Sequence, residues 1–168
     1  MIIINGLKGT GKTTLCKQIA STYDYTYIND YEILAKQNAS LNDMSKIDKK
    51  HSKIICEYLL KHINEKMVVD LEYTISPTEC YKHGLEKLAT CIYLGYATVD
   101  YDILYKMYNE NPKNKLNCEQ LKDYVKQIKD KSVSYYKECM KLNIKYIDIS
   151  ENKNSIIDNI VKSLKTHY

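Results

Sequence analysis

Arginine, phenylalanine and tryptophan are absent from this chain of 168 residues, so lysine supplies all 25 basic side chains and tyrosine all 17 aromatic ones. Without guanidinium groups the chain cannot make the planar, bidentate contacts that arginine forms with phosphates and carboxylates, and lysine offers only a point charge. Each tyrosine can bury its ring, but its hydroxyl then needs a hydrogen-bond partner. The composition therefore excludes every mode of recognition that depends on arginine.

Glycine and proline are also scarce, with 5 and 2 copies, which favours short loops and long regular elements. No apolar run approaches the ~20 residues that cross a bilayer, and the start MIIIN is too short and too uncharged for a signal peptide. The six cysteines form no CxxC pair, and the four histidines have no metal-binding spacing. The sequence thus predicts a single domain over residues 1–168 in a cytoplasmic protein with reduced thiols.

Five short apolar runs have the character of strands and alternate with segments of helical periodicity. The predicted strands are residues 2–5, 25–29, 67–70, 91–94 and 145–149. The predicted helices are residues 11–23, 45–65, 77–88, 118–140 and 152–165. The helix over residues 118–140 has one predicted apolar stripe, formed by Leu121, Tyr124, Val125, Ile128, Ser132, Tyr135, Tyr136 and Cys139. This alternation is typical of βαβ units and predicts an α/β fold with a mostly parallel sheet. The carboxyl ends of parallel strands share one edge, where ligands bind.

Residues 6–13 read GLKGTGKT, which matches the pattern GxxxxGK[ST] between a predicted strand and a predicted helix. The glycines let the backbone approach phosphate oxygens, and the following helix adds its positive end. We expect Lys12 to reach the β- and γ-phosphates, Thr13 to hold Mg²⁺ and Thr14 to bind near the α-phosphate. The predicted nucleotide-binding residues are Gly6, Leu7, Lys8, Gly9, Thr10, Gly11, Lys12, Thr13 and Thr14.

With this loop and this order of elements, the chain resembles the P-loop nucleoside and nucleotide kinases. These include adenylate-kinase-like, shikimate-kinase-like and gluconate-kinase-like enzymes and 5′-hydroxyl polynucleotide kinases. The resemblance implies a three-layer P-loop NTPase fold with five parallel strands in the order 2-3-1-4-5. It also implies a substrate-binding insertion at about residues 31–66, a lid at about residues 110–118, and ATP and Mg²⁺ as cofactors.

Two carboxylates at predicted strand ends are candidates for the chemistry. The resemblance implies that Asp30 contacts the acceptor hydroxyl or takes its proton, and a helix N-cap for the following YEILAK is the alternative. Asp70 ends a hydrophobic strand, which is typical of a carboxylate near Mg²⁺. The DGxPR turn of nucleotide kinases is replaced there by Asp-Leu-Glu-Tyr, so a turn role stays open. Glu72 is a further candidate for the same site.

The fourth strand leads into TVDYDILYKMYNEN, where the kinases that the chain resembles carry arginines over the phosphates. Lys106, Lys113 and Lys115 are the cations available here, and Lys106 is the predicted catalytic one. Each of them is also typical of an ordinary exposed lysine. Residues 150–154, after the fifth strand, are the predicted position of contacts with the base.

The sequence as a whole predicts an ATP- and Mg²⁺-dependent phosphotransferase that moves the γ-phosphate to a small acceptor. The absence of arginine favours a hydroxyl of a nucleoside-like or metabolite substrate, because monophosphate kinases clamp the acceptor phosphate with guanidinium groups. Three alternatives stay open: a nucleoside monophosphate kinase with lysines replacing arginines, a nucleotide-binding switch without kinase activity, and a polynucleotide 5′-hydroxyl kinase. The net charge of +4 allows nucleic acid, but dispersed lysines do not favour it, and no membrane partner is expected.

Overall fold

The computed structural model describes residues 1–37, 49–72, 74–111, 115–149 and 152–164. The strands are β1 (Ile2–Gly6), β2 (Thr26–Asn29), β3 (Met67–Leu71), β4 (Thr90–Gly95) and β5 (Lys145–Asp148). The helices are α1 (Lys12–Tyr23), α2 (Asp30–Lys36), α3 (Lys49–Lys61), α4 (Pro77–Lys82), α5 (Leu85–Leu88), α6 (Tyr101–Asn109), α7 (Cys118–Leu142) and α8 (Lys153–Leu164). All five predicted strands are confirmed, with each end within about one residue of its predicted position.

The strands form one parallel sheet in the order β2-β3-β1-β4-β5, which confirms the predicted fold class. The central strand β1 pairs with β3, where Ile4 lies opposite Asp70, and with β4, where Gly6 lies opposite Leu94. On the other side of β3, Asn29 of β2 also lies opposite Asp70. The carboxyl ends of β1, β2 and β3 therefore meet at one edge of the sheet, as the sequence predicts.

Helices cover both faces of the sheet, so every residue of its central strands β1 and β3 is buried. One apolar layer lies under α1, α6, α8 and the first half of α7, and the other lies under α2, α3, α4, α5 and the second half of α7. The predicted apolar stripe of α7 is largely confirmed. Its buried members are Leu121, Val125, Ile128, Ser132, Tyr135 and Cys139. Tyr136, also predicted on this stripe, is exposed.

The prediction of one helix over residues 77–88 is wrong, because the segment forms two short helices. Ser76 and Glu79 form a capping box that starts α4 at Pro77. After α4, Gly84 has a φ of +68°, a left-handed conformation that a helix cannot contain and that glycine adopts without strain. The chain therefore turns at Gly84 and begins again as α5.

The predicted insertion and lid are described only in part. The insertion at residues 31–66 contains most of α2 and all of α3, while residues 38–48 lie outside the described residues. Within the predicted lid at residues 110–118, residues 112–114 also lie outside them, and α7 begins at Cys118. The roles of both segments stay predictions. Within the ranges given above, every helix is too short or too polar to cross a membrane.

Candidate active site

The P-loop joins β1 to α1 through Gly11, which has a φ of +89° and is the N-cap residue of the helix. Any Cβ here would press against Cε of Lys153 and lie 2.8 Å from Cδ1 of Ile157. Among the described residues, no side chain caps α1 and none in its first turn is acidic. The first N–H groups of α1 and its positive dipole end are therefore available to an anion.

Lys12 lies inside the loop and is almost fully buried. Its Nζ donates to the Leu7 carbonyl oxygen at 3.1 Å. The same oxygen accepts from the Thr10 backbone N–H at 3.2 Å and from the Thr10 hydroxyl at 2.7 Å. The Lys12 ammonium and the Thr10 N–H thus lie on the same side of the loop.

Several carboxylates act on the Lys12 ammonium. Burial lowers the pKa of Lys12 from its ordinary value, and the negative charges of Asp70, Glu72 and Asp30 oppose that shift. A cation in this setting gains strongly from the approach of a polyphosphate, because it is already removed from water. The surroundings of Lys12 therefore suit the phosphate contact predicted for it.

Thr13 and Asp70 meet across the gap between α1 and β3. The Thr13 hydroxyl donates to Asp70 Oδ2 at 2.6 Å, and the Tyr27 hydroxyl donates to the same oxygen at 3.2 Å. Burial, followed by the charge of Asp70, raises the pKa of Tyr27 to about 12, so this hydroxyl stays a donor at neutral pH. A threonine hydroxyl beside an aspartate carboxylate is an oxygen donor set that fits Mg²⁺ next to a triphosphate.

Protein ligands alone do not complete a metal site here. In the part of the chain that the structure describes, no three His, Cys, Asp or Glu side chains are grouped closely enough to hold a metal ion. Mg²⁺ in kinases usually uses one or two protein oxygens, with substrate phosphates and water as the other ligands. The pair Thr13 and Asp70 is therefore consistent with Mg²⁺ that arrives with a nucleotide.

Asp30 is the first residue of α2, and its carboxylate is buried and held by three hydrogen bonds. Oδ1 accepts from the Tyr31 N–H at 3.0 Å, while Oδ2 accepts from the Glu72 N–H at 2.8 Å and from the Thr74 hydroxyl at 3.3 Å. The N-cap of α2 is Asn29, whose Oδ1 accepts from the Glu32 N–H at 2.9 Å. The alternative that Asp30 serves as the helix cap is therefore wrong.

The electrostatics of Asp30 favour the protonated form more than in an exposed aspartate. Burial raises the pKa of Asp30, and the charges of Asp70 and Glu72 add to the rise. The hydrogen bonds from the Glu72 N–H and the Thr74 hydroxyl act in the opposite direction. A fixed carboxylate with a raised pKa is a stronger proton acceptor than a free one.

One cavity of about 140 Å³ connects these groups. Its lining residues are Lys12, Thr13, Tyr27, Asn29, Asp30, Tyr31, Asp70 and Glu72. Four of the predicted site residues, Lys12, Thr13, Asp30 and Asp70, therefore share one cavity at the sheet edge, and Glu72 joins them. The sequence gives no signal for Tyr27 and Tyr31, which reach the cavity from β2 and α2.

A second cavity, of about 200 Å³, borders the same loop. Its lining residues are Leu7, Lys8, Glu72, Tyr124, Gln127, Ile128 and Lys131. Glu72 lines both cavities, and burial lowers the pKa of Lys131. The sequence identifies the apolar stripe of α7 but not the part of that helix that faces the P-loop.

A third cavity, of about 300 Å³, lies between the ends of α6 and α8. Its lining residues are Gly9, Tyr96, Met107, Tyr108, Glu110, Asn111 and Lys153. Lys153 belongs to the predicted base-contact segment, of which residues 150 and 151 lie outside the described residues. Burial lowers the pKa of Lys153, and the positive charge of Lys12 lowers it further.

Four other predicted residues that the structure describes are exposed: Lys8, Thr14, Lys106 and Lys115. Lys106 is exposed, with its Nζ 3.9 Å from Glu110 Oε1, and each cavity described above is lined by other residues. Its catalytic role stays a prediction. Lys113 lies outside the described residues.

The fold of this chain is similar to that of proteins with solved structures. No protein-family model and no curated protein sequence matches the chain. A shikimate kinase structure from Bacteroides thetaiotaomicron is similar, with a TM-score of 0.65, 16% identity and coverage of 98% of this chain and 96% of that one. A second, from Acinetobacter baumannii in complex with shikimate, has a TM-score of 0.63 and 17% identity over 99% of this chain and 93% of that one.

A gluconokinase structure from Sinorhizobium meliloti is also similar, with a TM-score of 0.55 and 13% identity over 99% of this chain and 95% of that one. All three similar proteins are small kinases. Because the similarity extends over nearly the whole length of each chain, the fold is that of the small P-loop kinases. The resemblance predicted from the sequence is confirmed at the level of the fold.

Proposed function

We propose that this chain is an ATP-dependent phosphotransferase that moves the γ-phosphate to a hydroxyl group of a small acceptor. One observation carries the proposal: a single cavity is lined by Lys12 and Thr13 of the P-loop and by the carboxylates Asp30 and Asp70. Donor-binding groups and a proton acceptor are thus close enough to act on the same pair of reactants. Similar structures that include a shikimate kinase with bound shikimate and a gluconokinase support this reading.

On the donor side, the loop would bind the triphosphate through its backbone N–H groups and the start of α1. The Lys12 ammonium would leave the Leu7 carbonyl and contact the β- and γ-phosphates. Thr13 and Asp70 are the residues that would hold Mg²⁺. When bound, Mg²⁺ supplies charge neutralisation to the phosphate oxygens.

On the acceptor side, Asp30 would orient the attacking hydroxyl and take its proton. Within the described residues its Oδ1 accepts one hydrogen bond, from the Tyr31 N–H, which leaves that oxygen able to accept another. The bonds from Glu72 and Thr74 hold Oδ2 in place. Fixed geometry and a raised pKa are what a general base needs.

The charges around the cavity favour a neutral acceptor group over a phosphate. Asp30, Asp70 and Glu72 line the cavity together, and three carboxylates repel a phosphate that has no guanidinium clamp to hold it. Lys8 and Lys131, which line the adjoining cavity, can supply point charges only. A hydroxyl acceptor on a nucleoside-like or metabolite molecule therefore fits better than a nucleoside monophosphate.

A test of the proposal measures ADP release from Mg²⁺ and ATP with four groups of acceptors: nucleosides, nucleoside monophosphates, shikimate-like alcohols and 5′-hydroxyl oligonucleotides. We expect stimulation by an alcohol or a nucleoside. Stimulation by nucleoside monophosphates alone would favour a nucleoside monophosphate kinase. Stimulation by oligonucleotides alone would favour a polynucleotide 5′-hydroxyl kinase. If every acceptor leaves ADP release at background, the nucleotide-binding switch replaces the kinase.

Thr13→Ala is expected to raise the Mg²⁺ concentration that gives half-maximal activity by about tenfold, because the substitution removes one oxygen donor and the partner of Asp70. The measurement is a Mg²⁺ titration of ADP release at saturating ATP. Thr13→Ser keeps the hydroxyl and is the matched control, so its titration should resemble that of the unmodified protein. Equal Mg²⁺ dependence in all three proteins would contradict the assignment of Thr13.

The pH dependence of kcat is expected to follow the protonation of the Asp30 carboxylate. Activity needs the unprotonated carboxylate, so kcat falls as the pH is lowered through the pKa of Asp30, and burial moves this fall to higher pH than for an exposed aspartate. Glu72→Gln removes a negative charge that raises this pKa, so the fall should move to lower pH. Glu57→Gln, an exposed change on α3, should leave it in place. An identical acid limb in both variants would contradict the role of Asp30.

A further inference from the structure

Two consecutive carbonyl groups of the P-loop are bound by side chains from distant helices. The Tyr108 hydroxyl, near the end of α6, donates to the Lys8 carbonyl oxygen at 2.5 Å. Lys153 Nζ, at the start of α8, donates to the Gly9 carbonyl oxygen at 2.6 Å. Tyr108 and Lys153 line the same cavity beside Gly9, so both carbonyl groups are held toward that cavity.

The orientation of these carbonyl groups fixes the orientation of the N–H groups that follow them. In a trans peptide the carbonyl and the next N–H point in opposite directions. The Thr10 N–H contacts the Leu7 carbonyl, which also binds the Lys12 ammonium. The peptide from Gly9 to Thr10 therefore has its carbonyl on Lys153 and its N–H on the side of Lys12.

The same rule applies one peptide earlier. With its carbonyl oxygen on Tyr108, the peptide from Lys8 to Gly9 directs the Gly9 N–H away from Tyr108. Successive N–H groups on one side of a loop form a concave anion site. The contacts with Tyr108 and Lys153 thus support the backbone arrangement that a phosphate requires.

Both side chains are themselves held in place. The Tyr108 ring packs edge-on against Tyr96 and Tyr124, with centroid distances of 6.4 and 5.5 Å. Burial raises the pKa of Tyr108, so its hydroxyl stays a donor. The Lys153 side chain lies against Gly11, where its Cε occupies the space that a Cβ would need. Neither contact with the loop depends on a freely moving side chain.

We propose that Tyr108 and Lys153 are positioning residues that turn the Lys8 and Gly9 carbonyl groups outward, so that the Gly9 N–H faces the donor phosphates and the Thr10 N–H stays with Lys12 on the inner side of the loop. This inference rests on the proposed nucleotide binding and deepens it. On this proposal, a tyrosine hydroxyl and a lysine ammonium hold the backbone conformation of the loop from the side opposite the phosphates. Neither residue needs to touch the phosphates to affect their binding.

Tyr108→Phe tests the inference, because it removes one hydroxyl and keeps the ring contacts. Calorimetric titrations with inorganic tripolyphosphate and with ATP are expected to show about fivefold weaker binding of both, which corresponds to the loss of one hydrogen bond. Tripolyphosphate has no base or ribose, so its affinity reports on the phosphate contacts of the P-loop alone. Tyr105→Phe, on the same helix with its hydroxyl on Cys118 Sγ, is the matched control and should bind both ligands as the unmodified protein does.

The outcomes separate this inference from the function on which it rests. If the unmodified protein binds neither ligand, the proposed function fails, and the inference with it. If it binds both and Lys12→Ala binds neither, while Tyr108→Phe binds tripolyphosphate normally, only the inference fails. Weaker binding of ATP alone would also overturn it, because Tyr108 would then act on the nucleoside.

Lys153 needs two variants, because it carries both a charge and a hydrogen bond. Lys153→Met removes both, and Lys153→Gln removes the charge but keeps an uncharged N–H donor. We expect the methionine variant to bind tripolyphosphate at least fivefold more weakly and the glutamine variant to recover part of that loss. Equal losses in the two variants would show that the charge alone matters and would overturn the role of Lys153.

Discussion

Replacing Lys12 with alanine is expected to lower the rate of ADP formation by about a thousandfold or more, since preorganised charge in a water-poor site is commonly the largest single contribution to catalysis. The Lys12 ammonium is buried, bound to the Leu7 carbonyl and surrounded by three carboxylates. Without it, the negative charges of Asp30, Asp70 and Glu72 would repel the triphosphate, because Lys12 is the one cation among the described residues that line their cavity. The measurement is the steady-state rate of ADP release with Mg²⁺, ATP and the best acceptor.

Lys17→Ala is the matched control for this change. Lys17 lies five residues further along α1, is exposed, and has its Nζ 6.0 Å from the centre of the Tyr27 ring. The Lys17→Ala variant loses the same charge as Lys12→Ala. Because Lys17 is exposed, its rate of ADP release is expected to be close to that of the unmodified protein. Unfolding temperatures of both variants should show that the fold survives. A folded Lys12→Ala variant with the normal rate would remove the P-loop from the mechanism.

Asp30→Asn is expected to lower kcat by about a hundredfold or more and to change the KM for ATP little, because a general base contributes to the chemical step. The asparagine side chain has nearly the same shape but cannot take the proton of the acceptor. Its amide also loses one acceptor oxygen facing Glu72 and Thr74, so some loss of stability accompanies the change. The KM for ATP therefore serves as the internal check that the donor site is intact.

Asp24→Asn controls for the loss of an aspartate charge. Asp24 is exposed at the end of α1 and has a φ of +56°, which asparagine also accepts. Its kcat should equal that of the unmodified protein. If Asp30→Asn shows the same kcat as this control, Asp30 is a structural residue that holds the turn after β3.

The parts of this protein that follow from local sequence pattern were predictable. The strands, the P-loop and most helices carry their signals within about a dozen residues, in periodicity and in a continuous motif. Strand order came from the resemblance that this motif allows. Once the order is known, the meeting of Lys12, Thr13, Asp30 and Asp70 at one sheet edge follows from the parallel topology.

Features that depend on contacts between distant residues were not predictable. Tyr108 and Lys153 lie about a hundred or more positions from the loop carbonyls that they bind, and no local pattern marks such a pair. The cap of α2 was missed because Asn29 and Asp30 are both good capping residues and only the geometry distinguishes them. The break at Gly84 was missed because a single glycine is tolerated in many helices.

The absence of arginine bears on how much rate acceleration the site can reach. In the described residues, the lysines at the three cavities are Lys8, Lys12, Lys131 and Lys153. Each provides a point charge without a planar pair of donors. Transition-state arginines contribute factors of about 10³–10⁵ in related chemistry, so we expect a lower turnover number than in kinases that have them.

The fate of the γ-phosphate distinguishes transfer to an acceptor hydroxyl from hydrolysis of ATP. ATP labelled at the γ-phosphate is incubated with Mg²⁺, the protein and an alcohol or nucleoside acceptor, and the products are separated and identified by mass. The proposed function predicts that the label appears as a phosphate ester on the acceptor hydroxyl and that Lys12→Ala abolishes this product. Label that appears only as inorganic phosphate, or that stays in ATP with every acceptor, would contradict it.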